Sequence, residues 1–153
     1  MDIAYEAGLN FGEESVFFVE HEGIYSAGKS FKAEEFLTLP QLPIYFPNRG
    51  GKITVHSRGQ IVIYPIINLR KRNLNISEFI GILEKWIIDT LLDFGVYANL
   101  STDERGVWIS DEKIGFIGVS VIKGVSKHGL CLNISNDLKY FNSIIPCGIK
   151  TAK

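Results

Sequence analysis

The segment SEFIGILEKWIIDTLLDFG (77–95) constrains the fold of this chain more than any other. Phe79, Leu83, Trp86, Ile87, Leu91 and Phe94 recur at helical spacing, which predicts one apolar face and a core stripe rather than a cofactor box. Ser77 is the expected N-cap, Glu78 suits the positive end of the helix dipole, and Gly95 suits the stop. Around this helix the chain is strand-like. SVFFVE (15–20) is a β-rich run, and EHEGIYSAGKS (20–30) reads as a turn through two glycines. KAEEFL (32–37) reads as a short helical turn, and the proline-bearing LPQLPIYFP (39–47) as extended or loop chain. RGGKITVH (49–56) and QIVIYPIINL (60–69) read as strands around SRG. After the helix come GVWIS (106–110), KIGFIGVSVI (113–122) and VSKHGLCLNIS (125–135), with breaks at Asp111-Glu112 and Lys123-Gly124 suited to tight hairpins. NDLKYFNSI then gives a short turn or helix. Many strands and one long helix predict an α+β or α/β class: a mixed, largely antiparallel sheet with packed helices.

A chain of 153 residues suits one domain, and no linker, repeat or low-complexity tract divides it. Its net charge of −1 lacks the footprint of a nucleic-acid binder, and the basic run Arg70-Lys71-Arg72 reads as a surface turn. No apolar run reaches the ~18 residues of a membrane span, and the N-terminal residues are acidic, unlike a signal peptide. Two cysteines, Cys131 and Cys147, are too few for a disulfide framework, and no Cys/His cluster has metal-ligand spacing. These observations lead to the expectation of a cytoplasmic protein with reduced thiols and no metal.

Glycines interrupt the strand-like segments at Gly50, Gly51, Gly59, Gly115, Gly118, Gly124 and Gly129. They are either hairpin punctuation or a site lined by backbone. Lys113 opens an apolar strand directly after a turn, where a lysine either snorkels to solvent or serves a site. His56 and His128 sit in glycine-containing stretches and are either satisfied core histidines or site residues. Cys147 stands between Pro146 and Gly148, in a turn that can expose a side chain, or else it is a small buried hydrophobe. Walker, GxGxxG and GxSxG loops are missing.

These residues together resemble the lipoyl(octanoyl) transferase family, in the biotin/lipoate ligase-like superfamily. Its pattern RGG-x-x-T-x-H-G-P-G-Q, followed by Y-P-x-x-D-L, stands here as RGGKITVHSRGQIVIYPIINL (49–69). Its K-I-x-x-I-G is KIGFIG (113–118), its H-G-x-A-L-N is HGLCLN (128–133), and its P-C-G-I is PCGI (146–149). VEHEGIYSAGKS (19–30) is similar to its V-E-H-x-x-x-Y-T-x-G. The resemblance implies the biotin/lipoate protein ligase catalytic-domain fold. It implies an octanoyltransferase that takes an octanoyl group from octanoyl-acyl carrier protein and places it on the lysine of a lipoyl domain. The recipients implied are the 2-oxoacid dehydrogenases and the glycine cleavage H protein. Carried over, Cys147 is the nucleophile that forms an acyl-enzyme and Lys113 its partner. The motif residues Arg49, Gly50, Gly51, His56, Ser57, Gly59, Gln60, Ile117, Gly118, His128, Gly129 and Cys131 would bind substrate. No cofactor, no nucleic acid and no membrane is implied, and a monomer is expected.

The chemistry suits the residue types. A thioester takes a soft nucleophile, the thiolate is the reactive form of cysteine, and a neighbouring ammonium favours it. Two thioester-level steps need no ATP or metal. Burying the alkyl tail is worth about 5 kcal/mol before entropy costs. The chain departs from the family at Ser57-Arg58, where Arg58 is expected to add a charge near the pocket, at Asn68, at Cys131, and at its ends. Residues 1–153 thus read as a single catalytic domain shortened at both ends. Two alternatives stay open: an ATP-dependent lipoate or biotin-type ligase, and an inactive acyl or lipoyl-domain binding protein.

Overall fold

The computed structural model describes residues 12–102 and 104–145, with Glu6 and Asn10. Its strands are β1 (Ser15–Val19), β2 (Ile24–Ala27), β3 (Ile44–Tyr45), β4 (Ile53–His56), β5 (Gln60–Ile66), β6 (Asn99–Leu100), β7 (Val107–Ile109), β8 (Glu112–Ile122) and β9 (Val125–Asn133). The long helix α1 spans Ile76–Asp93, and 3-10 turns cover Ala33–Glu35 and Leu138–Ser143. The strands form two sheets. The larger runs β1-β5-β9-β8-β7-β6 and is antiparallel throughout. The smaller runs β3-β2-β4, with β3 parallel and β4 antiparallel to β2. The mixed, largely antiparallel α+β expectation holds, but the two strands around SRG belong to different sheets.

Helix α1 begins earlier than Ser77. Asn75 is the N-cap: its side chain accepts from the Glu78 N–H at 2.9 Å, and the Glu78 carboxylate accepts from the Asn75 N–H at 2.8 Å. That reciprocal pair satisfies two orphan donors, which a cap at Ser77 would not do. Phe79, Leu83, Ile87 and Leu91 face Val107, Leu130 and Leu132 of the large sheet. Trp86 and Phe94, expected in this stripe, lie outside it. Trp86 meets Phe18 edge to face at the stripe's margin, and Phe94 is the C-cap, 81% exposed.

The segment read as a turn over 20–30 contains β2, whose Tyr25, Ser26 and Ala27 are buried. Tyr25 joins Ile53, Val55 and Ile144 in the core of the small sheet. Two hairpins follow α1. Lys123 and Gly124 both have positive φ (53° and 89°), as a two-residue turn between Ile122 and Val125 requires. The other turn falls at Ser110-Asp111, one residue before the expected break, with Ser110 at φ 52° and Ile109 paired to Glu112. Along β9 the side chains alternate. Leu130 and Leu132 pack under α1, while Cys131 packs on the other face with Val62 and Phe116. One face of the large sheet is therefore closed by the helix, and the other looks toward the small sheet.

Candidate active site

Between the two sheets lies a cavity of about 640 Å³. The large sheet contributes Phe17, Val19, Val62, Tyr64, Phe116 and Cys131, and the small sheet Ile24, Ser26, Thr54 and His56. Gly118 and Gly129, paired across β8 and β9, leave the sheet without side chains at that point of the wall. Most of the lining is apolar, with polar groups at a few points, as a site for an alkyl-bearing ligand requires. One of those points is Thr54, whose buried hydroxyl has no hydrogen-bond partner among the described residues.

Lys113 reaches this cavity through a β-bulge. Val107 faces Gly115 but the next residue, Trp108, faces Lys113, so Ile114 is an extra residue in β8. Strict alternation from Phe116 and Gly118 would turn Lys113 toward the helix side; the bulge turns it to the cavity and leaves Ile114 packed under α1. The Lys113 side chain is only 4% exposed. Its Nζ stands 5.5 Å from the Trp108 ring centroid, 5.4 Å from that of Phe116 and 3.8 Å from the Glu104 carboxylate. A snorkelling surface lysine would show none of this.

His56 is held neutral. Burial pushes its pKa down to about 4, against the opposing effect of its bond to Gln60 and aided by the nearby His21 and Arg49. Its Nδ1 is 2.6 Å from Gln60 Oε1, while Gln60 Nε2 donates to Asn133 Oδ1 at 2.7 Å and to Val55 O at 3.3 Å. His21 lies beside it, with ring centroids 5.7 Å apart, and is joined to the Tyr64 hydroxyl at 2.7 Å. Burial lowers the His21 pKa and raises that of Tyr64 to about 12, so both groups are uncharged at neutral pH.

Arg49 fixes one wall. Its Nε donates to Ser26 Oγ at 2.9 Å, Nη2 to the Ser26 carbonyl, and Nη1 to the Gly50 carbonyl at 2.8 Å. A second wall owes its shape to a break in the β5–β9 ladder. Pro65 has no N–H to give there. Opposite it, His128 takes φ 63°, a conformation rare within a strand but more accessible to His than to most residues. The bend places both His128 and Gly129 on the cavity.

Of the residues singled out in the sequence, the cavity brings together Lys113, Arg49, Gly51, His56, Ile117, Gly118, His128, Gly129 and Cys131. Gly50, Ser57, Gly59 and Gln60 stand behind this wall. Gly50 donates to Val119 O at 3.2 Å, Ser57 is buried, and Gly59 donates to the Glu20 carboxylate at 2.9 Å. Gln60 is fully buried and acts through His56. Arg58 does not charge the pocket: it is exposed and pairs with the Glu22 carboxylate. Cys147 lies outside the described residues. Sequence reasoning missed His21, Tyr64, Thr54 and Glu104. The V-E-H of residues 19–21 was the available signal for His21. Among the described residues no group of three His, Cys, Asp or Glu is placed to hold a metal, and no helix is long and apolar enough to cross a membrane.

Residues 3–153 match the lipoyl protein ligase A/B catalytic domain family. The chain is 44% identical over 152 residues to an octanoyltransferase of Rickettsia canadensis, covering 94% of this chain and 73% of that protein. It is 44% identical over 146 residues to an octanoyltransferase of Rickettsia prowazekii, covering 91% and 70%. Among solved structures it is similar to lipoate-protein ligase A bound with ATP, with a TM-score of 0.75, 14% identity, and coverage of 93% of this chain and 64% of that one. It is also similar to a bipartite lipoate protein ligase from Thermoplasma acidophilum solved with its E2 lipoyl domain, with a TM-score of 0.73, 15% identity, and coverage of 94% and 60%. The chain thus spans under two thirds of the length of these two ligases.

Proposed function

The chain belongs to the octanoyltransferases, acyltransferases of the lipoyl protein ligase A/B catalytic family, and from that membership we propose that Cys147 and Lys113 transfer an octanoyl group from octanoyl-acyl carrier protein to the lysine of a lipoyl domain. In this reading residues 1–153 form a single catalytic domain. The observation that carries it is Lys113, buried and turned by a bulge into an apolar cavity between two sheets.

The Cys147 thiolate attacks the thioester carbonyl carbon. The bond from that carbon to the carrier sulfur breaks, and the carrier thiolate leaves and takes up a proton from the Lys113 ammonium, which becomes the amine. The lipoyl-domain amine, deprotonated, then attacks the Cys147 acyl carbon; an amide forms and the Cys147 sulfur leaves as thiolate. Lys113 as ammonium favours that thiolate, and as amine it can take the proton from the incoming lysine. The apolar wall of Val62, Phe116 and Cys131 suits the alkyl tail. The chain that leads to Cys147 is anchored as far as Ile145, the last described residue. The Ile145 N–H donates to Glu35 O at 2.7 Å, and the Glu35 carboxylate lies 3.5 Å from Nζ of Lys52, a cavity residue. The recipients that fit are the lipoyl domains of 2-oxoacid dehydrogenases and the glycine cleavage H protein. The cytoplasm, whose thiol pool keeps Cys147 reduced, is the compartment that fits.

The test is intact-protein mass after mixing with octanoyl-acyl carrier protein without ATP. An octanoyl adduct removed by hydroxylamine, and missing from Cys147→Ser, is expected. No adduct on folded wild-type protein, with transfer appearing only on addition of ATP and free octanoate, would mean an adenylate-forming ligase instead.

A further inference from the structure

Glu84 is a carboxylate on the buried face of α1, 2% exposed, within the row that holds Leu83 and Ile87. Burying a carboxylate there is costly unless partners compensate it. Both partners come from one short segment just before β7. Glu84 accepts the Gly106 N–H at 2.9 Å and the Arg105 Nη1–H at 3.0 Å. Arg105 Nη2 in turn donates to Ser77 Oγ at 3.0 Å, in the first turn of the helix. The helix therefore grips Arg105 and Gly106, and through them the adjoining Glu104.

Two residues of this segment, Glu104 and Gly106, touch the cavity lysine. Gly106 lies so close to it that a Cβ there would stand 2.5 Å from Lys113 Cε and 2.5 Å from Gly115 O. Glu104 presents its carboxylate 3.8 Å from Lys113 Nζ. Glu104 and Arg105 both line the cavity, while Glu84 does not.

We propose that Glu84 is a positioning residue for Lys113, acting from the far side of the large sheet. Its carboxylate holds the 104–106 segment against the lysine stem and keeps the Glu104 carboxylate facing Nζ. An apolar residue at 84 would fill the core as well but would release that segment. The inference rests on the reading of Lys113 as the active lysine.

The test compares wild type, Glu84→Gln, Glu84→Leu and Arg105→Ala in the full chain, with two readouts. One is the rate at which acetic anhydride labels Lys113, by peptide mass spectrometry, normalised to the exposed Lys85. The other is kcat and KM for octanoyl transfer. Glu84→Leu is expected to label several-fold faster at Lys113 and to lower kcat about 100-fold with KM little changed, as a misplaced catalytic group would. Glu84→Gln keeps an acceptor for the Gly106 N–H and should recover most of kcat; Arg105→Ala should fall between. If Glu84→Leu does not fold, Arg105→Ala still carries the test through its Lys113 labelling. Folded Glu84→Leu or Arg105→Ala with wild-type Lys113 labelling overturns the proposal, whatever its stability. Faster Lys113 labelling with unchanged kcat would support the positioning and overturn the role of Lys113 in transfer.

Discussion

The hydrogen bond between His56 and Gln60 runs in one direction. Gln60 gives its amide N–H groups to Asn133 and Val55, so its Oε1 can only accept, and His56 Nδ1, 2.6 Å away, carries the proton. In the neutral ring Nε2 is then the acceptor. Three elements thus fix the tautomer of one imidazole on the cavity wall.

This arrangement makes stability depend on pH. Unfolded, His56 titrates near its ordinary 6.5; folded, burial holds it at about 4. Between those values the unfolded chain binds the proton and the folded chain does not, so stability falls as pH drops from about 6.5 toward 4 and is fully retained above. The contribution is up to about 3 kcal/mol. Urea midpoints measured from pH 4.5 to 7 should slope for wild type and flatten for His56→Gln. The buried His21 leaves a smaller residual slope in the variant. Equal slopes in the two proteins would remove the burial account.

Cys131 is 3% exposed and packs with Val62 and Phe116 on the cavity wall. In the proposed binding mode a larger side chain there takes space from the alkyl tail rather than from the reacting carbonyl. Cys131→Leu is expected to lower octanoyl transfer about 10-fold more than hexanoyl transfer, the scale of a methylene or two in an apolar pocket. Parallel losses for both chain lengths would put the tail elsewhere.

The legible parts of the fold were those where one local signal decides. The β8–β9 hairpin followed from two apolar runs and Lys123-Gly124, and α1 from a four-residue apolar repeat. β2 was hidden because a strand of four residues bounded by Gly23 and Gly28 looks like a turn until Tyr25 and Ser26 find partners across the chain. The N-cap was missed although Asn75 stands three residues before Glu78, the spacing of a capping box. Periodicity marks strands but not their neighbours, so the split of β4 and β5 between two sheets, and the cavity it creates, could not be read. The aim of Lys113 depends on one extra residue, Ile114, and the His21–Tyr64 pair depends on sheet pairing. Glu84 carries no local signal of its role, because its partners lie twenty-odd residues onward in a loop.

Gly129 on β9 leaves no room for a side chain against β5. A Cβ there would lie 2.0 Å from Ile63 O and 2.6 Å from Pro65 Cδ, and the first of these is backbone that cannot turn aside. Gly129→Ala should destabilise the fold by about 3 kcal/mol, a fall in Tm of roughly 10 °C for a domain of this size. Gly81→Ala is the control, since a Cβ on that helical residue meets nothing within 4 Å and should leave Tm unchanged or slightly higher. Thermal melts of the two variants decide; equal midpoints would mean that β5 gives way at Pro65.

Glu35 links the small sheet to the segment that leads to Cys147. It is buried at 6% exposure, its carboxylate accepts the Ile53 N–H at 3.3 Å and lies 3.5 Å from Lys52 Nζ, and its carbonyl accepts the Ile145 N–H at 2.7 Å. Anchoring the side chain on β4 therefore fixes the carbonyl that holds the chain two residues before the cysteine. Glu35→Ala leaves the Ile53 N–H buried without that acceptor, at a cost of about 1–3 kcal/mol. It also loosens Ile145, so the rate of acyl-enzyme formation should fall roughly 10-fold while hydroxylamine still releases the same adduct. Glu35→Gln keeps an acceptor for Ile53 and should recover most of that rate. Rapid-quench mass measurements on the three proteins separate the outcomes. A Glu35→Ala protein that melts lower but acylates at the wild-type rate would show that the segment holds its place without this anchor.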